Sequence, residues 1–558
     1  MSRRLALPAA VAAALVGLLV AGSLPFYTRA EPREANAARA MVEGRGLLIP
    51  ERAGDATSKK PPLYHWLAAA ALRAGVQPAE LAVRLPSVVL GALVVGATAG
   101  IGGTAYGTAA GVFAALALAT SFEWFRAATQ SRVDMTLTAF LSLATLGLWL
   151  GVTRDDRRWL RIGALAAALA TLAKGPIGIV LPLAIVGVDA LWSRDRGRLR
   201  RLLDPVAAAC VLLPPACWYL LATEHGGAAV LRTQLLGENI ERFLGVGDVP
   251  HRHGPLYYPP LLAGGLLPWT PAVAVGLRKA WRRRTAIDRL CLAWAGVILV
   301  FFSLAAGKRS VYLLPAYPPL ALLAGPALVA WCARPATVRA RRVAAASAAF
   351  VGLAALALSL PAVQAGLAEL ATRIVCSDRE LLGPAFSVIA TSPWRIPVTG
   401  LALALVLLLG IGGRTAAARG AGLVGSGLLL TVGTVFLGTL PLATALTPRE
   451  FARAVERRVG PDGRLCALGP LPEDLRWYLT RPVPACELRC DQPGGTDWVV
   501  RTAAFDARRR EACLRPSLTH TGTGPGDNLR LDRVTVVTAA EDPARTAPSA
   551  PAPPHGIP

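Results

Sequence analysis

The sequence predicts an all-α polytopic membrane bundle with a small α/β domain after it, and three observations carry that reading. Thirteen apolar runs approach or reach the length needed to cross a bilayer. The 558-residue chain is 54% hydrophobic and only 17% charged, and its charges fall in short clusters between those runs, unlike the dispersed charge of a soluble surface. Every second connection is basic, apart from a short one around Tyr106, as expected when cytoplasmic loops retain the positive excess.

The first run, residues 6–24, has a basic start and small residues near its end, which is also the outline of a cleaved signal peptide. Further runs follow in phase with it, so it is read as the first transmembrane helix. Spans are predicted next at 85–104, 108–122, 134–152, 160–173, 176–192, 205–222, 259–277, 290–306, 311–331, 343–362, 396–412 and 420–440. The basic connections start from Arg3 and Arg4 and continue with the groups at 154–161, 194–201, 278–284, 334–342 and 414–419. This phase puts the N-terminus in the cytoplasm and, because thirteen is odd, the C-terminal region outside. It also accounts for the net charge of +24. A nucleic-acid partner would instead require a basic face interleaved with aromatics, so none is expected.

The outside segments are then roughly 25–84, 223–258, 363–395 and everything after 441. Residues 35–45 and 61–74 alternate polar and apolar as short amphipathic helices do when they lie in the headgroup layer. Residues 1–440 form the transmembrane domain. Residues 441–538 carry short β-rich runs around the helix-like PEDLRWYL and read as the small extracytoplasmic α/β domain, and 539–558 as a disordered Pro/Ala-rich tail. Cys466, Cys486, Cys490 and Cys513 all fall in that domain, where up to two disulfides with three possible pairings are expected. A zinc site is the weaker rival, because Cys486 and Cys490 lack a second close pair.

Lysine marks where chemistry is to be sought. The chain has five lysines against 54 arginines, and Lys59, Lys60, Lys174 and Lys308 stand at outside ends of spans. Where Arg serves for a plain positive charge, a retained compact ammonium points to a specific contact. Membrane-edge carboxylates are costly without a role or partner, which singles out Glu31, Glu34 and Asp134. The alternative for each is a loop charge, or an ion pair with Arg29, Arg33 or Arg132. His65, His225, His251 and His253 also lie outside. His251 and His253, in HRHG, are read as phosphate or acceptor contacts or as ordinary loop histidines, because a metal would lack an assured third ligand.

The motifs then become familiar in their order: TRAEPREANAARAMVEGRG at 28–46, KPPLYHW at 60–66, SRVDMTL at 131–137, AKGP at 173–176, a stretch opening ENIERFLG at 238–245, and GKRSVY at 307–312. The sequence resembles the polyprenyl-phosphate-sugar glycosyltransferases of the GT-C fold. The resemblance is specifically to the branch holding the lipid A aminoarabinose transferase and, more distantly, the protein O-mannosyltransferases. The likeness covers residues 1–440.

That resemblance implies a sugar donor linked to polyprenyl phosphate, typically undecaprenyl phosphate in bacteria, and a lipid, glycan or protein acceptor. Because a phosphate monoester is already a good leaving anion, cations suffice to hold it and a base is useful for a hydroxyl acceptor. By resemblance, Arg33, Lys60, Lys174, Lys308 and Tyr312 bind the donor phosphate, and Tyr64, His65, Asp134, His251 and His253 contact substrate. The family's catalytic Asp falls at Ala30, so Glu31 is the expected base and Glu34 the second choice. Related transferases carry an acid where this chain has Lys59; two adjacent ammonium groups repel a divalent cation, so neither metal nor cofactor is expected. The implied location is the inner or plasma membrane, multi-pass, with the site extracytoplasmic. A transporter or lipid flippase is the rival, but no repeat relates the two halves and the spans are mostly Ala, Leu, Val and Gly. Which sugar and which acceptor are used is not legible in these residues.

Overall fold

In a bilayer a backbone must satisfy its own hydrogen bonds, so long apolar runs fold as helices. The computed structural model describes residues 3–28, 30–51, 59–246, 253–334, 337–360, 362–364, 366, 395–461, 463–468, 471–484, 496–502, 514–524 and 527–536. The chain divides into two units: Met1–Leu24, Ala30–Cys376 and Ala385–Leu442 form the first, and Pro25–Arg29, Ser377–Pro384 and Ala443–Pro558 the second.

The first unit opens with α1 (Arg3–Ser23), α2 (Ala30–Val42), α3 (Leu63–Arg73) and α4 (Ala79–Tyr106). Next come α5 (Thr108–Ala119), α6 (Phe122–Ala128), α7 (Val133–Arg154), α8 (Arg157–Lys174) and α9 (Ile177–Trp192). After α10 (Arg196–Arg201), α11 (Pro205–Gly226) and α12 (Ala228–Leu231), a π-helical stretch, Arg232–Glu241, leads into the single turn α13 (Arg242–Leu244). The later helices are α14 (Tyr258–Gly265), α15 (Thr270–Arg283), α16 (Ala286–Leu304), α17 (Tyr317–Ala333) behind a 3-10 turn at Ser310–Ala316, α18 (Val338–Leu358), α19 (Arg395–Gly412) and α20 (Ala416–Leu428).

All thirteen apolar runs lie on helices, but not all as simple spans. Among the described residues eight helices are long and apolar enough to cross a membrane, or ten if two bent pairs each count as one. The run at 108–122 ends within a pair, α5 and α6, bent by 68°, and the run at 259–277 is broken between α14 and α15, which meet at 112°. Pro268 and Pro271 interrupt that second run, and proline cannot donate the backbone bond a continuous helix needs. The helix at 160–173 is real, but Arg157, Arg158, Arg161 and Lys174 at its ends leave it more charged than a plain span. The amphipathic segments are α2 and α3, with α2 beginning at Ala30, five residues before the pattern at 35–45.

Small residues let the helices approach closely, as membrane helix pairs require. Between α7 and α8 a Cβ on Gly163 would sit 2.4 Å from the Leu148 nitrogen, and one on Gly147 2.7 Å from the Gly163 Cα. Fully buried Arg84, in α4, fixes the first loop. It donates to the carbonyls of Ala21 and Leu24 at 2.8 and 2.5 Å, and pairs with Glu31 of α2 at 2.8 and 3.1 Å.

In the second unit α21 (Arg449–Val459) and α22 (Glu473–Tyr478) flank β1 (Leu465–Leu468), with Phe451, Val455, Leu465 and Leu475 buried together. Strands β2 (Thr496–Thr502), β3 (Leu514–Gly524) and β4 (Asp527–Val536) complete a sheet of order β1-β2-β4-β3, parallel between β1 and β2 and antiparallel elsewhere. Phe26 joins this unit, its ring 5.3 Å from that of Trp477 and its amide donating to the Tyr478 hydroxyl at 2.9 Å. Cys466 is disulfide-bonded. Cys486, Cys490, Cys513 and the Pro/Ala-rich tail lie outside the described residues.

Candidate functional site

Three local breaks place side chains at the ends of helices. In KPPL, two prolines follow Lys60 and α3 starts at Leu63, so Lys60 ends the loop that enters the bundle. In AKGP, α8 stops at Lys174 and Gly175 takes a φ of +92°, a conformation open to glycine, before Pro176 caps α9. A Cβ on Gly175 would also lie 3.1 Å from the Asn239 side chain. Asp134 sits in the first turn of α7, and Tyr312 in the 3-10 turn before α17.

These ends meet in one cavity of about 330 Å³. Its polar part presents five cations, Lys59, Lys60, Lys174, Arg242 and Arg309, against two carboxylates, Asp134 and Glu238, with Tyr312 among them. The remaining wall is apolar and includes Ile177, Val180, Ile240, Phe243, Phe301 and Phe302. Lys174 is ion-paired with Asp134, and its Nζ stands 4.4 Å above the Tyr312 ring. Glu238 pairs with Arg242 at 3.0 Å and reaches Lys59 at 3.9 Å.

Beside the cavity, Lys60 also faces Glu34 at 3.7 Å. Glu34 accepts from His65 Nε2 at 2.9 Å if that nitrogen carries the proton, and Arg33 stands 3.4 Å away. Burial alone would raise the Glu34 carboxyl, but the Lys60 charge, the His65 hydrogen bond and Arg33 overcome it and hold it well below the usual carboxylate range. Glu34 is therefore ionised at neutral pH.

The other candidates fall elsewhere. Glu31 is fully buried, spent on Arg84 and on the Ser131 amide at 3.0 Å. Tyr64 is buried too, donating to the Val83 carbonyl at 2.7 Å and bonded to the Ser131 hydroxyl at 2.5 Å. Lys308 does not line the cavity and donates to the Ala305 carbonyl at 2.5 Å, while its neighbour Arg309 lines it. His253 is exposed and stacks on Tyr257 at 4.1 Å, and His251 lies outside the described residues.

Sequence reasoning missed Arg242, Arg309 and Glu238 as cavity residues. All three lie inside stretches it quoted, ENIERFLG and GKRSVY, but counting scarce lysines favoured Lys308 over the arginine next to it.

Residues 59–224 match the family described as dolichyl-phosphate-mannose-protein mannosyltransferase. An undecaprenyl phosphate-alpha-4-amino-4-deoxy-L-arabinose arabinosyl transferase of Pseudomonas aeruginosa strain UCBPP-PA14 is 32% identical over 312 residues, 54% of this chain and 55% of that one. A protein of the same description from Pseudomonas fluorescens strain Pf0-1 is 30% identical over 212 residues, 37% of this chain and 36% of its own. The chain thus aligns with about half the length, or less, of these relatives. The crystal structure of ArnT from Cupriavidus metallidurans bound to undecaprenyl phosphate superposes with a TM-score of 0.72 at 19% identity, covering 95% of this chain and 98% of that one. The chain has the GT-C fold of the polyprenyl-phosphate-sugar glycosyltransferases.

Within this GT-C fold the matched stretch 59–224 contains Lys60, Asp134 and Lys174, while Arg242, Arg309 and Tyr312 come from beyond it. Here the ammonium groups of Lys59 and Lys60 stand side by side on the cavity, and among the described residues no three His, Cys, Asp or Glu side chains converge.

Proposed function

We propose that this protein is a membrane glycosyltransferase that moves a sugar from a polyprenyl-phosphate donor to a hydroxyl of a lipid, glycan or protein acceptor. The observation that carries this reading is the cavity itself, in which a cluster of cations adjoins a wall of Ile and Phe. A phosphate needs the first and a prenyl chain the second. The relatives named for undecaprenyl phosphate-linked aminoarabinose support an undecaprenyl carrier.

Lys60, Lys174, Arg242 and Arg309 hold the phosphate by charge-assisted bonds, and Tyr312 packs beneath Lys174. Asp134 keeps Lys174 in place. The acceptor oxygen attacks the anomeric carbon, the bond from that carbon to the phosphate oxygen breaks, and polyprenyl phosphate departs with the electron pair. The hydroxyl proton passes to Glu34. The donor phosphate shares Lys60 with that carboxylate, which draws positive potential from Glu34 and raises its basicity when donor is bound. Glu31, sealed against Arg84, is a structural anchor that sets the pitch of α2. No metal takes part, so EDTA leaves the rate unchanged; loss of activity restored by zinc or magnesium would contradict this.

The same reading gives an N-terminus in the cytoplasm and puts the site and the α/β unit on the extracytoplasmic face of the plasma membrane. Mass spectrometry of envelope glycolipids and glycans from a strain lacking the gene tests it. One sugar is expected to be missing and restored by the intact gene, but not by a Lys60→Ala variant. An unchanged envelope with an accumulated intracellular solute would favour a transporter.

A further inference from the structure

Of the five lysines, Lys279 alone lies in a connection of cytoplasmic phase. It belongs to the basic end of α15, where Arg283 bonds to Asp288 at 2.8 Å and Arg284 to the Trp281 carbonyl at 2.9 Å. Among the described residues no side-chain partner is recorded for Lys279, nor for Arg334 at the end of α17.

Both line a second cavity of about 550 Å³ between α15, α17, α19 and α20, which shares no lining residue with the first. Val275, Leu328, Val406, Leu407 and Leu423 give it an apolar interior, and no acidic side chain lines it. Trp331 stands one turn from Arg334, half exposed, with its ring N–H donating to the Gly410 carbonyl at 3.1 Å. A half-exposed indole beside a basic residue is typical of the headgroup level of a bilayer.

We infer that this cavity holds an anionic phospholipid, with its phosphate between Lys279 and Arg334 and an acyl chain along α19 and α20. A zwitterionic lipid carries its own ammonium group, and the cavity offers no carboxylate to receive it. The preference is therefore for phosphatidylglycerol-type headgroups, recognised where basic pockets open between helices at the cytoplasmic surface. The inference is independent of the transferase reading, because the donor site lies elsewhere.

Native mass spectrometry of the full-length protein in detergent, titrated with phosphatidylglycerol or phosphatidylcholine, tests it. The parent is expected to hold phosphatidylglycerol at least about tenfold more tightly than phosphatidylcholine. Replacing both cations (Lys279→Ala with Arg334→Ala) should weaken phosphatidylglycerol about thirtyfold, at roughly a factor of five per cation near the surface. The pair Lys279→Arg with Arg334→Lys should retain it, which guards against misfolding, and Ser426→Phe should expel it while leaving both charges in place. Undiminished binding in the alanine pair or in Ser426→Phe overturns the proposal. So does equal affinity for phosphatidylcholine, or displacement of bound phosphatidylglycerol by undecaprenyl phosphate.

Discussion

Glu31 and Glu34 lie three residues apart on α2, yet their surroundings differ, and the roles proposed for them differ accordingly. Glu31 and Arg84 form a pair with no exposure at all, so removing one charge strands the other in the interior. Breaking such a pair costs about 3–5 kcal/mol, and Glu31→Gln is expected to lower the melting temperature steeply and activity with it. Glu34→Gln should lower the melting temperature less than Glu31→Gln, because Glu34 and its partners Lys60 and Arg33 are partly exposed, and should abolish turnover while donor binding persists. Equal thermal losses in the two variants would refute this division. The pH dependence follows from the direction of the Glu34 shift. Its carboxyl is depressed in the free protein, so the base is present at neutral pH and is lost only as pH falls below the ordinary carboxylate range. The acid limb of kcat/KM, which reports the free enzyme, should therefore lie below that range, and the limb of kcat should lie higher because bound donor offsets Lys60. Limbs that coincide would remove Lys60 from the account. Sequence reasoning reached Lys60 and Lys174 through the scarcity of lysine, Asp134 as a membrane-edge carboxylate, and Tyr312 through the family resemblance alone. Arg242 and Arg309 are camouflaged among 54 arginines, and only packing separates those facing the cavity from those marking topology.

At the scale of the element, Gly175 joins a helix end to the site. Its positive φ and the Asn239 side chain 3.1 Å from a would-be Cβ mean that Gly175→Ala is strained twice, in its own backbone and against the π-helical stretch Arg232–Glu241. At a φ of +92° and ψ of −165°, a region almost confined to glycine, a residue with a Cβ costs about 1–3 kcal/mol. Because the strain falls beside Lys174, the expected result is donor binding weakened on the order of tenfold, with helical content by circular dichroism unchanged. Unaltered donor affinity would show that the break at AKGP has no part in shaping the site. Hydropathy found the helices readily, because an apolar run in a bilayer has one solution. It could not foresee the bends between α5 and α6 or between α14 and α15, since those depend on where proline and packing interrupt a run whose mean hydropathy stays high. Nor could it see that α2 starts at Ala30, since what anchors that first turn is Arg84, 53 residues away from Glu31.

For the whole molecule, the arginine phase and the cavity are independent arguments that four segments share one end of the bundle, and the phase alone says which face that is. Arginine counts assign Lys60, Asp134, Lys174 and Tyr312 to one face through four separate segments of the chain, and the fold brings those four to a single cavity. Had the phase slipped at any one of the intervening helices, one of them would stand at the opposite end of its span, about 30 Å away across the hydrocarbon layer. The convergence makes the topology testable with two reporters. Leu47, half exposed in the first loop, should react as Leu47→Cys with a membrane-impermeant maleimide added to intact spheroplasts. Arg200, exposed at the basic end of α10, should react as Arg200→Cys only after permeabilisation. Both variants are made in a chain in which Cys376 is replaced together with Cys210, Cys217, Cys291 and Cys332, the free thiols among the described residues, and label is counted above that of the same chain without the reporter; Cys466 stays in its disulfide. Labelling of Arg200→Cys but not Leu47→Cys before permeabilisation would invert the molecule and put the donor cavity in the cytoplasm. Labelling of both would mean that a helix between residues 47 and 200 does not cross the membrane, and the short α9 and the charged α8 are where that failure would be sought first.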